Sequence, residues 1–165
     1  MNIRTLLRYA AIIIVISVNI GCDQVSKYAV RKNLEYHEDI QVVGEHVVLT
    51  KVENSGAFLS LGNSLSPLAK SLLLTALPAA TLPFLLFWLF AHNPGKWALF
   101  GLCCIVGGGI GNIFDRIVHG SVTDFMFIQY GYFRTGIFNA ADVSITFGVC
   151  LIVAQQFWKT RKRDV

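Results

Sequence analysis

The sequence predicts an all-α membrane protein of four transmembrane helices with both termini cytoplasmic. Three observations lead there. The 165-residue chain is 54% hydrophobic and 15% charged, with a mean hydropathy of +0.56, whereas ordinary soluble domains are about 25% charged. Four apolar runs are each long enough to cross a bilayer, which takes about 20 helical residues. Finally, the basic residues gather where an even number of spans puts both ends on one side: Arg4, Arg8, the turn at Lys96, and the tail Lys159, Arg161, Lys162 and Arg163. Trp88, Trp97 and Trp158 stand beside those positions. Lys and Arg mark the cytoplasmic side, and Trp marks the interface. The net charge of +4 is thus a membrane anchor, and nucleic-acid binding is excluded. The chain reads as one domain over residues 1–165, with no repeat or low-complexity segment.

The first span runs over residues 9–30. Its Gly21-Cys22 step looks like a lipoprotein cleavage site, but Asn19 stands where such a site wants an apolar residue, and three further spans follow. Asp23 and Lys27 are four apart, so they share a helix face and can pair. Residues 31–66 form an outer loop. Within it, residues 46–52 (HVVLTKV) are β-branched and read as a strand. Asn54 follows, able to donate and accept toward a peptide, and Gly56 and Gly62 permit turns.

The second span, 67–91, contains Pro78 and Pro83, which membrane helices tolerate with kinks. The HNPGK turn at 92–96 leads to the third span, 97–116, as its antiparallel neighbour. That span ends in GGGIGNIFDR, whose glycines admit a close helix or substrate. Asn112, Asp115 and Arg116 fall within about one turn there. Residues 117–137 form a second outer loop, with an aromatic stretch at 125–133 suited to the interface. The fourth span, 137–158, places Asp142 roughly 8 Å below its start.

Asp124 and Asp142 are the candidates for chemistry. An ionisable residue inside a membrane-length segment is expensive and marks a functional site. Two carboxylates held together cannot both ionise easily, which supplies an acid and a base in one site. The loop between them has slack to fold Asp124 back over Asp142. Competing chemistries are poorly supported. Ser121 and Ser144 lack a histidine base, and His37, His46, His92 and His119 are scattered without metal-ligand spacing. Cys22, Cys103, Cys104 and Cys150 read as free apolar thiols. A transporter reading, with Asp23, Lys27 and Asp142 as an ion path, is opposed by the gathering of polar groups at one membrane face.

Five motifs in order, DQVSK (23–27), NSGA (54–57), GGGIGNIFDR (107–116), VTDF (122–125) and FNAAD (138–142), carry a resemblance. Over residues 9–158 the chain resembles the bacterial lipoprotein signal peptidases, the type II signal peptidases. The resemblance implies an aspartyl endopeptidase of the bacterial inner membrane, with its site at the extracytoplasmic face. It would cleave prolipoproteins before a diacylglyceryl-modified cysteine, with no metal or cofactor. It implies Asp124 and Asp142 as the catalytic pair. Asn54, Gly56, Asn112, Asp115, Arg116 and Asn139 would contact substrate or brace the site, and Asp23 and Lys27 would support the fold beside it. Prolipoproteins and membrane lipids are the implied partners of a monomer. A small extracytoplasmic β cradle and a loop helix are implied for the strand-like and aromatic stretches. One departure is Phe58-Leu59-Ser60, where the family often has Ala-Phe-Ser.

Overall fold

The computed structural model describes residues 2–56 and 64–161. The turn at Gly62, the departure at residues 58–60 and the tail bases Lys162 and Arg163 lie outside the described residues. Four helices are long and apolar enough to cross a membrane. They are α1 (Ile3–Asn33), α2 (Pro67–Ala91), α3 (Lys96–His119) and α4 (Ala140–Arg161). Between them stand β1 (Ile40–Val43), β2 (Val47–Asn54), β3 (Val122–Tyr130) and β4 (Phe133–Arg134). The strands form one antiparallel sheet in the order β1-β2-β3-β4.

The 31 residues of α1 rise about 46 Å, well beyond the roughly 30 Å of a bilayer's hydrocarbon. Its ends therefore lie outside the apolar layer, and Arg31 and Lys32 occupy its last turn, where cations suit the negative end of the helix dipole. In α2, residues Ser71–Ala76 widen into a π turn, with the Leu77 N–H reaching back to the Leu72 carbonyl. Pro78 follows directly. It has no N–H and its ring crowds the preceding turn, and the wider turn accommodates it. α3 ends at Gly120, whose φ of 78° suits a left-handed cap.

α3 is the centre of the bundle. Half of its apolar window is buried, against 11% or less in the other three spans, so those three face the surroundings. Phe84 and Phe87 on α2 are 71% and 70% exposed, as lipid-facing side chains are. The glycines of α3 explain the arrangement. A Cβ on Gly107 would lie 2.7 Å from Asn19 on α1, one on Gly108 2.5 Å from the Ala141 carbonyl of α4, and one on Gly109 3.1 Å from Leu82 on α2. Three successive residues, each about 100° round the helix, thus face three different helices. Gly101 and Gly148 repeat the close approach of α3 to α4.

The sheet sits on the end of α1, where Val30 and Leu34 pack with Phe125, Leu49 and Met126. The strand expected at 46–52 is β2, and β1 beside it was not anticipated. The aromatic stretch 125–133 is not a loop helix. It continues as β3 and turns into β4, because the β-rich run from Val122 onward pairs with β2. No separate loop helix stands among the described residues. The fourth helix begins at Ala140 rather than at 137, since Phe138 instead pairs with β3 through reciprocal hydrogen bonds with Met126.

Candidate active site

Asp124 lies on β3 and Asp142 in the first turn of α4. Both are buried, 3% and 9% exposed. Two expectations need correction. Asp124 is held by strand pairing and not by a slack loop. Asp142 is the third residue of its helix, about 3 Å along the axis from the start and not 8 Å, because the helix begins three residues later than expected.

Three asparagines hold the carboxylates, and all three follow one pattern. Asn54 donates to Asp124 Oδ2 at 2.8 Å, while its own oxygen accepts from the Gly56 N–H at 2.8 Å. The register sets this contact: Val52 pairs with Asp124 and Asn54 with Val122, so Asn54 is the diagonal neighbour on the same face. Asn139 donates to Asp124 Oδ1 at 2.6 Å, and its oxygen accepts from the Asp142 N–H at 3.0 Å. Asn112 donates to Asp142 Oδ1 at 2.9 Å, and its oxygen accepts from Lys27 Nζ at 2.9 Å. In each case a donor occupies the amide oxygen, so the NH₂ end must face a carboxylate.

Asn139 has a second role as the N-cap of α4. The Asp142 carboxylate accepts in return from the Asn139 N–H at 3.3 Å. The reciprocal pair is a capping box, which places Asp142 at the helix N-terminus, where a carboxylate is stabilised by the dipole. The spacing Asn-x-x-Asp before an apolar run was the readable signal for it. Asp23 adds to the same terminus by accepting from the Ala141 N–H at 2.9 Å.

Behind Asp142 lies a buried ion cluster. Lys27 pairs with Asp23 at 2.8 Å and with Asp115 at 3.0 Å, all three fully buried. Arg31 pairs with Asp115 at 3.0 Å. Gln24 donates to both Asp23 and Asp115. The expected Asp23–Lys27 pair is therefore half of a larger group, and Asp115 is buried inside it. Gln24 and Arg31 were not anticipated. Arg31 could have been found, since 23, 27 and 31 make one stripe at four-residue spacing. Gly111 leaves room for the cluster: a Cβ there would lie 2.4 Å from Asp23 Oδ2. Arg116 donates to the Gly56 carbonyl at 2.8 Å, tying the end of α3 to the residue that orients Asn54.

Burial pushes the Asp124 carboxyl up from 3.8 to about 6. The amides of Asn54 and Asn139 and the Lys27 charge oppose that rise, and the charge of Asp142 adds to it. A carboxyl titrating near neutrality can take or give a proton at working pH. Beside Asp142 runs a groove of about 400 Å³, lined by Phe138, Val143, Thr146, Phe147 and Cys150 among others. It is an apolar slot with a carboxylate at one end.

A pair of buried carboxylates, braced by amides at one end of a four-span bundle, is suited to acid–base hydrolysis at a membrane surface. The sequence model of the Signal peptidase (SPase) II family matches residues 13–158. The chain is 34% identical to a lipoprotein signal peptidase of Hydrogenovibrio crunogenus over 138 residues, 82% of this chain and 78% of that one. It is 29% identical to the lipoprotein signal peptidase of Brucella ovis over 87% of each chain. A bacterial membrane enzyme solved by the in meso method at 2.3 Å resolution superposes with a TM-score of 0.80, at 26% identity over 92% of this chain and 90% of that one. The chain belongs to the signal peptidase II family. It is a multi-pass inner-membrane peptidase of the aspartic type that removes signal peptides from prolipoproteins.

Proposed function

We propose that Asp124 and Asp142 together hydrolyse the peptide bond before a diacylglyceryl-modified cysteine. One aspartate, ionised, takes a proton from a water between the pair, and the water attacks the scissile carbonyl. The other, protonated, donates to the carbonyl oxygen, and a proton then passes to the leaving amine. The observation that carries this reading is Asn139, which holds Asp124 through its side chain and Asp142 through both its backbone and its side chain.

The substrate's lipid stays in the bilayer, so its cysteine is reached at the membrane edge. Asp142 stands at a helix end and opens on an apolar groove, which suits an acyl chain beside the scissile bond. Asn54, Gly56 and Arg116 sit where they can steady the peptide. With the basic residues cytoplasmic, the sheet and both aspartates face the outer side. The chain works as one domain and as a monomer, since a single chain supplies both aspartates.

The test is cleavage of a synthetic prolipoprotein peptide, with and without diacylglycerol on its cysteine, by purified wild-type, Asp124→Asn and Asp142→Asn proteins. Only the lipidated peptide should be cut, and only by wild type. Normal processing by either variant would sink the assignment of the pair.

A further inference from the structure

The two aspartates stand on different bodies, Asp124 on the sheet and Asp142 on the helical bundle, so something must set the spacing between them. On one side the chain itself does this, through Asn139 and the pairing of Phe138 with β3. The other side depends on side chains. Successive residues of a strand point to opposite faces. Glu53 pairs with Thr123, so these two occupy the face of the sheet opposite Asp124 and Asn54. Thr123 is fully buried. Its hydroxyl donates to Glu53 Oε1 at 2.7 Å and accepts from Arg31 Nε at 2.7 Å. Ser121 also donates to Glu53. The other arm of Arg31 reaches Asp115 at 3.0 Å, inside the cluster that orients Asn112 toward Asp142.

A continuous polar chain therefore runs Asp142–Asn112–Lys27–Asp115–Arg31–Thr123 and ends one residue from Asp124. We infer that Arg31 is a positioning residue: its planar fork latches β3 to the ion cluster, with Glu53 orienting the Thr123 hydroxyl, and so fixes the spacing of the two aspartates. The inference rests on the pair acting as proposed above. The guanidinium suits the place because its Nε–H donates to Thr123 while its rigid plane holds the charge at ion-pair distance from Asp115. A displacement of about 1 Å at a reacting pair costs up to ~100-fold in rate.

Arg31→Lys, Thr123→Val, their double variant and Thr123→Ser are compared with wild type and Asp124→Asn on the lipidated peptide, with thermal unfolding measured in the same detergent. The latch predicts that kcat falls about tenfold or more in Arg31→Lys and in Thr123→Val. KM should stay unchanged and unfolding should shift little. The double variant should be no worse than either single one, and Thr123→Ser should work like wild type. A raised KM at constant kcat would make Arg31 a substrate contact and overturn the inference. Additive losses in the double variant, or kcat falling in step with stability through every variant, would also overturn it, as would wild-type turnover by Arg31→Lys. If Asp124→Asn still cleaves, the carboxylate-pair reading itself fails, whatever the latch variants do.

Discussion

Gly108→Ala adds one methyl group to α3 at the point where it meets the start of α4. The new Cβ would stand 2.5 Å from the Ala141 carbonyl oxygen and 2.9 Å from Ile145 Cγ1, where ordinary contact begins at 3.4 Å. The nearer obstacle is backbone and cannot rotate away. The helices must part by the difference, 3.4 − 2.5 = 0.9 Å. Ala141 immediately precedes Asp142, and Asn112 lies one turn beyond Gly108 on α3. The same displacement would stretch the 2.9 Å bond from Asn112 to Asp142 toward about 3.8 Å, beyond hydrogen-bond range. Overpacking of this kind costs about 1–3 kcal/mol of stability, offset in part by the roughly 1 kcal/mol by which Ala favours helix over Gly. Misplacing a catalytic group by about 1 Å costs on the order of 100-fold in rate. The expected result is a folded protein whose kcat on the lipidated peptide falls by one to two orders of magnitude. Gly109→Ala is the control: its Cβ would meet only the flexible end of Leu82, at 3.1 Å, and should leave turnover close to wild type. Wild-type kcat in Gly108→Ala, or equal losses in the two variants, would refute the reasoning.

Three other outcomes follow from the site. The Asp124 carboxyl, raised from 3.8 to about 6, binds its proton more tightly folded than unfolded, so its stabilising contribution is full below pH 4 and lost as pH rises through 6. The loss is about 3 kcal/mol for a shift of roughly two units. Unfolding of wild type against Asp124→Asn should therefore diverge across that window, and a flat difference from pH 4 to 7 would contradict it. Arg116→Ala should lower activity more than membrane abundance, because it frees the Gly56 carbonyl and with it the anchor of Asn54; equal loss of both would make Arg116 purely structural. Lys27→Met should do the reverse, costing about 3–5 kcal/mol by leaving Asp23 a buried carboxylate without its cation, so that protein yield falls along with turnover. Normal yield of Lys27→Met would show that the cluster does not hold the bundle together.

The four spans were legible because hydropathy reads the part of a helix that lipid surrounds. Both ends of the second span, 67–91, were read correctly, but those of the first and third were not, since Arg4, Arg31 and His119 extend helices beyond the apolar layer without breaking them. The glycines of α3 announced a close approach, but only the assembled bundle shows that 107, 108 and 109 serve three different neighbours. Asp124 and Asp142 stood out because carboxylates are rare among such apolar residues. The strand around Asp124 was obscured by its own aromatics, which suit an interface and a sheet equally well. The partners of Asp115 were hidden because they lie on α1, some 90 positions away, and no local pattern reports such a contact. The capping box at Asn139 was readable and was passed over in favour of the longer apolar run.

The ion cluster also bears on how the chain enters the membrane. Asp23, Lys27 and Arg31 belong to α1 and carry one surplus positive charge, while Asp115 on α3 supplies the missing negative one. As α1 inserts, its i, i+4 pair is already neutral and its surplus guanidinium lies in the last turn, at the headgroup level. Both ion pairs of Asp115 run to α1. The charges balance only when α3 docks against the helix made first. Docking of these two spans thus neutralises the cluster and completes the support of Asp142 in one contact.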